Sequence, residues 1–103
     1  MTFSSDLKKH FPREPVHTSI EAGFPLQLQC LPPDGAPLPE VFWLRNGQPV
    51  EANGRDYIIS NDGALIINLA NIDDSGNYTC GAKNLAARRL SSSATLQVYG
   101  KRA

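Results

Sequence analysis

A chain of 103 residues fits a single domain of ordinary size. Its 41% hydrophobic and 19% charged residues allow a buried core and exclude a globally disordered chain. Lys plus Arg number 10 and Asp plus Glu number 10, so the net charge is zero and a molecule-wide polyanion binder is excluded.

The charge is uneven along the chain. No acidic residue follows Asp74, whereas Lys83, Arg88, Arg89, Lys101 and Arg102 do. A polyanion site would draw on this basic C-terminal third. No apolar run approaches the roughly 20 residues of a membrane span, so no direct membrane insertion is expected. The opening MTFSSDLKKHFPREP lacks the apolar segment of a signal peptide. A secreted form would then be an excised piece of a longer protein.

Residues 1–12 are polar and mixed and read as an arm or linker. The domain proper is expected over 13–99, with 100–103 as a second linker. Pro12 and Pro15 mark entry to an edge strand, where missing amide donors are tolerated, and Val16 and Ile20 fall in it. PLQLQC (25–30) alternates strictly, with Leu26, Leu28 and Cys30 inward. LPPDGAPLP (31–39) is turn chemistry. VFWLR (41–45) is a strand, and Asn46-Gly47 signals a hairpin. DYIIS (56–60) is a strand, and Asp62-Gly63 turns the chain into ALIINL (64–69), with Leu65, Ile67 and Leu69 inward. Residues 71–76 form a corner. Tyr78, Cys80 and Ala82 then alternate inward. After a tight connection at 84–87 comes one long strand with Leu90, Ser92, Ala94, Leu96 and Val98 on the inner face. Short strands bounded by Pro, Gly, Asn or Asp predict an all-β sandwich.

The only tryptophan and the only two cysteines share one pattern: Cys30, Trp43, then Asp74-x-Gly76-x-Tyr78-x-Cys80. This set resembles the immunoglobulin superfamily over nearly the whole chain. The segment between Trp43 and Cys80 is too short for the two extra strands of variable domains, which favours the intermediate, I-set type. The resemblance implies an immunoglobulin-like two-sheet sandwich with one inter-sheet disulfide, Cys30 to Cys80. It also implies that Trp43 packs on that bridge and that the Tyr78 hydroxyl bonds backbone just upstream. Gly76 would allow the tight corner, and Asp74 would pair with Arg55. On a loop-entropy account such a bridge contributes roughly 4 kcal/mol. Paired cysteines in a small β domain also point to an oxidising compartment.

No enzyme constellation is present, so neither catalytic residues nor cofactors are expected. His10 and His17 lie in the polar start without metal-type spacing, and no metal site is expected. No glycine-rich loop offers a phosphate cradle.

Longer stretches carry a narrower resemblance. LKKHFPREP, LQCLPPDGAPLPEVFWLRNGQPV and NYTCGAKNLAARRLSSSATLQVYG resemble the second immunoglobulin domain of repellent netrin receptors, the Unc-five class. The Cys-x-Pro-Pro-x-Gly stretch is Cys30 to Gly35. Trp43 to Asn46 form its Trp-Leu-Arg-Asn turn, and Asn77 to Asn84 lead to the basic pair Arg88-Arg89. Roundabout-type guidance receptors share the Pro-Pro-x-Gly turn. The resemblance implies the extracellular part of a single-pass axon-guidance receptor. Its expected partners are a netrin-type protein ligand, heparan sulfate or its proteoglycans, and neighbouring Ig and thrombospondin-type domains of the same receptor. Nucleic acid fits the charges but not that compartment. An intracellular muscle-type spacer domain is the rival class; the sequon and paired cysteines speak against it.

Alternation identifies a candidate surface. Phe42 and Leu44 flank inward Trp43 and point out as a protein-contact pair. Thr79, Gly81 and Lys83 point out beside Cys80, and Arg89, Ser91 and Ser93 beside Leu90. Lys83, Arg88 and Arg89 meet the entering arm with Lys8, Lys9 and Arg13 at one pole, a glycosaminoglycan-binding candidate. A solvated hairpin tip is the plain alternative. Lys101-Arg102 is expected at the opposite pole. Asn77-Tyr78-Thr79 is the only glycosylation sequon, with Asn77 exposed.

Overall fold

The computed structural model describes residues 4–100. Its strands are β1 (Asp6–Leu7), β2 (Thr18–Glu21), β3 (Leu26–Leu28), β4 (Gly35–Ala36), β5 (Glu40–Arg45), β6 (Gln48–Pro49), β7 (Tyr57–Ile59), β8 (Leu65–Ile67), β9 (Gly76–Lys83), β10 (Arg88–Leu90) and β11 (Ala94–Tyr99). One 3-10 turn, Ile72–Asp74, precedes β9. The first sheet has the order β2-β11-β9-β5-β6, with β10 also on β9, and the second has the order β3-β8-β7. The entering chain serves both layers. Arg13 bridges Leu31 after β3, and then β2 runs parallel to β11. β1 and β4 form a separate small ladder.

Alternation sets the core. Leu26 and Leu28, Leu65 and Ile67, Tyr78, Cys80 and Ala82, and Ala94, Leu96 and Val98 are all buried. Burying a large apolar side chain contributes about 1.5–3 kcal/mol. Cys30 and Cys80, 50 residues apart, are joined across the sandwich. Trp43 lies opposite Cys80 in the β5–β9 ladder, and its Nε1 donates to the Gly63 carbonyl at 2.9 Å. Gly63 has φ +102, and a Cβ there would sit 2.8 Å from the Cys30 carbonyl, so glycine is required at the residue whose carbonyl receives the indole N–H. Asn46 and Gly47 both take positive φ, which joins β5 to β6 by the twisted two-residue turn that hairpins favour.

The last strand departs from the sequence expectation. Leu90 pairs with Gly81, but Ala94 pairs with Tyr78. Three residues, Ser91 to Ser93, therefore oppose two, Thr79 and Cys80, and Ser91 bonds Cys80. This is a β-bulge, and the slip by one residue reverses the facing of everything before it. Leu90, expected inward, is 48% exposed and lies in the outer row with Phe42 and Gly81. Arg89, expected outward, lies opposite inward-facing Ala82. Ser92 is exposed rather than inward. The bulge is well capped: the Ser91 amide donates to the Cys80 carbonyl at 2.8 Å, and the Cys80 amide to Ser91 Oγ at 3.0 Å. The Ser92 amide, displaced from the ladder, donates to a Glu14 carboxylate oxygen at 2.5 Å.

Two further expectations are corrected. Leu69 is 70% exposed, because β8 ends at Ile67 and Asn68 turns the chain to bond backbone at Arg55 and Asp56. Ala70 is buried instead. Asp74 pairs with Arg45, at 3.9 Å, and not with Arg55, which pairs with Asp56 at 3.7 Å. The β5–β9 register sets Arg45 opposite Tyr78 and so beside the corner, whereas Arg55 precedes β7 in open solvent. Buried Asp74 also accepts the Tyr57 hydroxyl and the Asn71 amide, the latter at 2.8 Å. The Tyr78 hydroxyl donates to the Asp74 carbonyl at 2.5 Å, the upstream closure expected of this corner.

The bulge predicts unequal mutational costs. Leu90→Ser should change unfolding free energy by no more than about 0.5 kcal/mol, and Leu96→Ala should cost about 2–5 kcal/mol in denaturant titrations. Equal costs would place Leu90 in the core. The Asp74 corner predicts a pH dependence. The hydrogen bond to Asp74, aided by burial, pushes the Tyr57 phenol from 10.0 up to about 12. The protonated phenol is the stabilised form, so its contribution is complete below pH 10 and lost as pH rises towards about 12. Tyr57→Phe should flatten the fall in stability across that window; an unchanged slope contradicts the assignment.

Candidate recognition face

The outer surface of β5, β9 and β10 is built in rows by the ladder registers. Glu40, Lys83 and Arg88 form one row, and Phe42, Gly81 and Leu90 the next. Leu44 lies opposite Thr79, whose hydroxyl bonds Ser93 Oγ at 2.7 Å. Phe42 and Leu44 are half-buried on this outer face. The Phe42 ring lies over the Gly81 backbone: a Cβ at 81 would meet ring atoms at 2.1–2.6 Å. Glycine at 81 therefore leaves the ring its place. Lys83 Nζ is 5.6 Å and Arg88 Cζ 4.8 Å from the ring centroid, both in cation–π range.

The entering arm meets this edge. β1 pairs with β4, and Leu7 and Phe11 are buried. The Lys8 amide donates to the Asp34 carbonyl at 2.9 Å, leaving the Lys8 and Lys9 side chains exposed. Arg89 fastens the arm, with Nη2 donating to the Leu7 carbonyl at 2.8 Å. Asn84 is the hub. Its Nδ2 donates to the Asp6 carbonyl at 2.7 Å and the Pro37 carbonyl at 3.0 Å, while its Oδ1 accepts from the Ala86 and Ala87 amides. Lys8, Lys9, Lys83, Arg88 and Arg89 are thus gathered at one pole. Asp6, Asp34 and Glu40 share it and dilute the positive charge.

Three features of this face were missed in the sequence reading. Leu90 joins the apolar row only through the bulge. Glu40 is set opposite Lys83 only by the β5–β9 register. The side chain of Asn84 contacts residues remote in sequence, a pairing that local pattern does not reveal. Lys101 and Arg102 lie outside the described residues.

Asn77 is exposed at the far end of β9, and its Oδ1 accepts the Thr95 hydroxyl at 3.0 Å. His17 serves the fold, its Nδ1 accepting the Thr95 amide at 2.8 Å. Among the described residues no group of three His, Cys, Asp or Glu side chains is placed to hold a metal ion. An open cleft of about 440 Å³ over Arg45, Val50 and Tyr57 abuts the Asp74 corner, with no nucleophile and base paired in it.

Two facing sheets tied by one disulfide, with a buried tryptophan against it and a tyrosine-closed corner, define an immunoglobulin-type domain. The sequence profile of the immunoglobulin I-set domain matches residues 9–98, and the chain belongs to that family. The chain is 42% identical over 94 residues to the netrin receptor UNC5D of Rattus norvegicus and of Mus musculus. That match covers 90% of this chain but spans only 10% of each receptor. Among solved structures, the N-terminal Ig1-2 module of the Drosophila receptor protein tyrosine phosphatase DLAR superposes with a TM-score of 0.80 at 28% identity, covering 87% of this chain and 45% of that one. The Ig-like domain of human leucine-rich repeat-containing protein 4 gives 0.75 at 28% identity, covering 99% and 98%.

The Asn84 hub predicts a local effect. Asn84→Ala should lower stability by about 1–3 kcal/mol and speed tryptic cleavage after Lys8 and Lys9, followed by mass spectrometry. Unchanged cleavage would mean that buried Leu7 and Phe11 hold the arm alone.

Proposed function

We propose that this domain is an extracellular recognition module of a netrin-type guidance receptor, and that its basic pole binds heparan sulfate. The receptor assignment rests on the likeness to UNC5D across most of the chain. The sugar assignment is carried by one observation: cations from the arm, from β9 and from β10 are gathered at one pole although the chain is neutral overall. Clustered Lys and Arg bind a dense polyanion largely by releasing its counterions, the physics known for DNA phosphates. Asp6, Asp34 and Glu40 at the same pole keep the affinity modest. The dependence on salt is steep, because the exposed charges are readily screened.

The pair Lys83→Glu and Arg88→Glu, which leaves the Arg89 tie to the arm in place, should cut retention on a heparin column sharply. The pair Lys101→Glu and Arg102→Glu should matter less. Equal losses would show diffuse charge rather than a site, and no retention of the unmutated domain near physiological salt would remove the sugar from its function.

The exposed Leu90 beside Phe42 and Leu44 favours a second use of the face, assisting the netrin-type protein ligand. Leu90→Ala should weaken binding to that ligand with stability intact; unchanged binding would remove the apolar row from the contact. A glycan at Asn77 leaves the basic pole free but borders the apolar row, because Asn77 lies on the same outer face two residues from Thr79, the partner of Leu44. Lys83 lies six positions beyond Asn77 along the strand, about 20 Å. Loss of mass on enzymatic deglycosylation of the secreted domain is expected, and an unchanged mass would leave the sequon unused.

A further inference from the structure

We propose that Phe42 is the positioning residue of this face: its ring, laid over Gly81, holds Lys83 and Arg88 ready as a paired clamp for sulfate oxyanions. The inference rests on the polyanion reading above and gives Phe42 a part in it beyond apolar contact. Lysine and arginine on a strand surface are long and mobile, and each loses rotamer freedom when a ligand fixes it. Here both are drawn to one ring, at 5.6 Å and 4.8 Å from its centroid. Lys83 and Arg88 are also cross-strand partners, so their backbones start side by side. Two like charges set opposite each other repel, and the electron-rich face of the ring offsets that repulsion. The ring keeps its position because residue 81 has no side chain. Glycine at 81, aromatic at 42 and cations at 83 and 88 thus form one device. Glu40, third in the outer row, sits opposite Lys83 and reserves the clamp for ligands of high anionic density.

Two substitutions test this without altering charge. Phe42→Leu removes the aromatic face. Gly81→Ala keeps Phe42 but drives its ring aside, since the new Cβ would lie 2.1 Å from the ring. The backbone at 81 lies within a regular strand, so alanine fits the fold. Affinity for a size-defined heparin oligosaccharide is measured by calorimetry across a salt series, with a desulfated oligosaccharide of equal length as control. Each variant should bind about fivefold more weakly at a given salt concentration, the scale of fixing one or two long side chains anew. The slope of log affinity against log salt should be unchanged, because no charge is lost. Arg88→Gln should lower that slope by about one. If both variants bind as the parent does while Arg88→Gln weakens binding, the clamp is overturned and the polyanion site stands. If the parent shows no sulfate-dependent binding, both fall. Equal binding of the desulfated control would overturn the oxyanion chemistry.

Discussion

The link between Cys30 and Cys80, with Trp43 against it, is the constraint from which the outer surface follows. A side chain bound across the sandwich fixes the facing of its strand. With Cys80 inward, Tyr78 and Ala82 are inward too, and Asn77, Thr79, Gly81 and Lys83 are left on the outside. The β5–β9 ladder carries that phase to Phe42 and Leu44. The same residues that close the core therefore set the candidate recognition face. A rigid sheet presents it, with the arm and its lysines added along one edge.

The two poles differ in chemistry. At the corner before β9, buried Asp74 is satisfied by Tyr57, Arg45 and the Asn71 amide, and its charge is absorbed within the fold. At the other pole the cations face outward or grip the arm, with acidic neighbours close by but none of them buried. Overall neutrality is the sum of 10 basic and 10 acidic residues, which are unevenly distributed over the fold. A neutral domain with one locally positive edge favours a polyanion only where charge is dense and close, because exposed charges are screened within about 10 Å at 0.1 M salt.

Much of the fold was legible because it rests on residues with few structural uses. Trp43, the cysteine pair, Tyr78 and the turn Asn46-Gly47 each fit one place in a sandwich. The bulge was not legible, because Ser91, Ser92 and Ser93 suit either face and carry no phase. A single extra residue there inverted Leu90 and Arg89. The Arg45–Asp74 pair was not legible either. Arg45 and Arg55 both lie well upstream of the corner in sequence, and only the register distinguishes them. At the candidate site, the cations could be picked out one by one from charge alone. The ring that links Lys83 to Arg88 and the acid opposite Lys83 depend on cross-strand neighbours, which a linear pattern does not display.

The edge formed by β5, β9 and β10 with the arm is the proposed site of polyanion recognition. Amide chemical-shift mapping of the labelled domain against a heparin oligosaccharide tests it most directly. Saturable shifts are expected at Phe42, Gly81, Lys83 and Arg88, with Lys8 and Lys9 following, and none at the Arg45–Asp74 corner. Shifts centred on Arg45 and Arg55, or spread evenly over the surface, would contradict it.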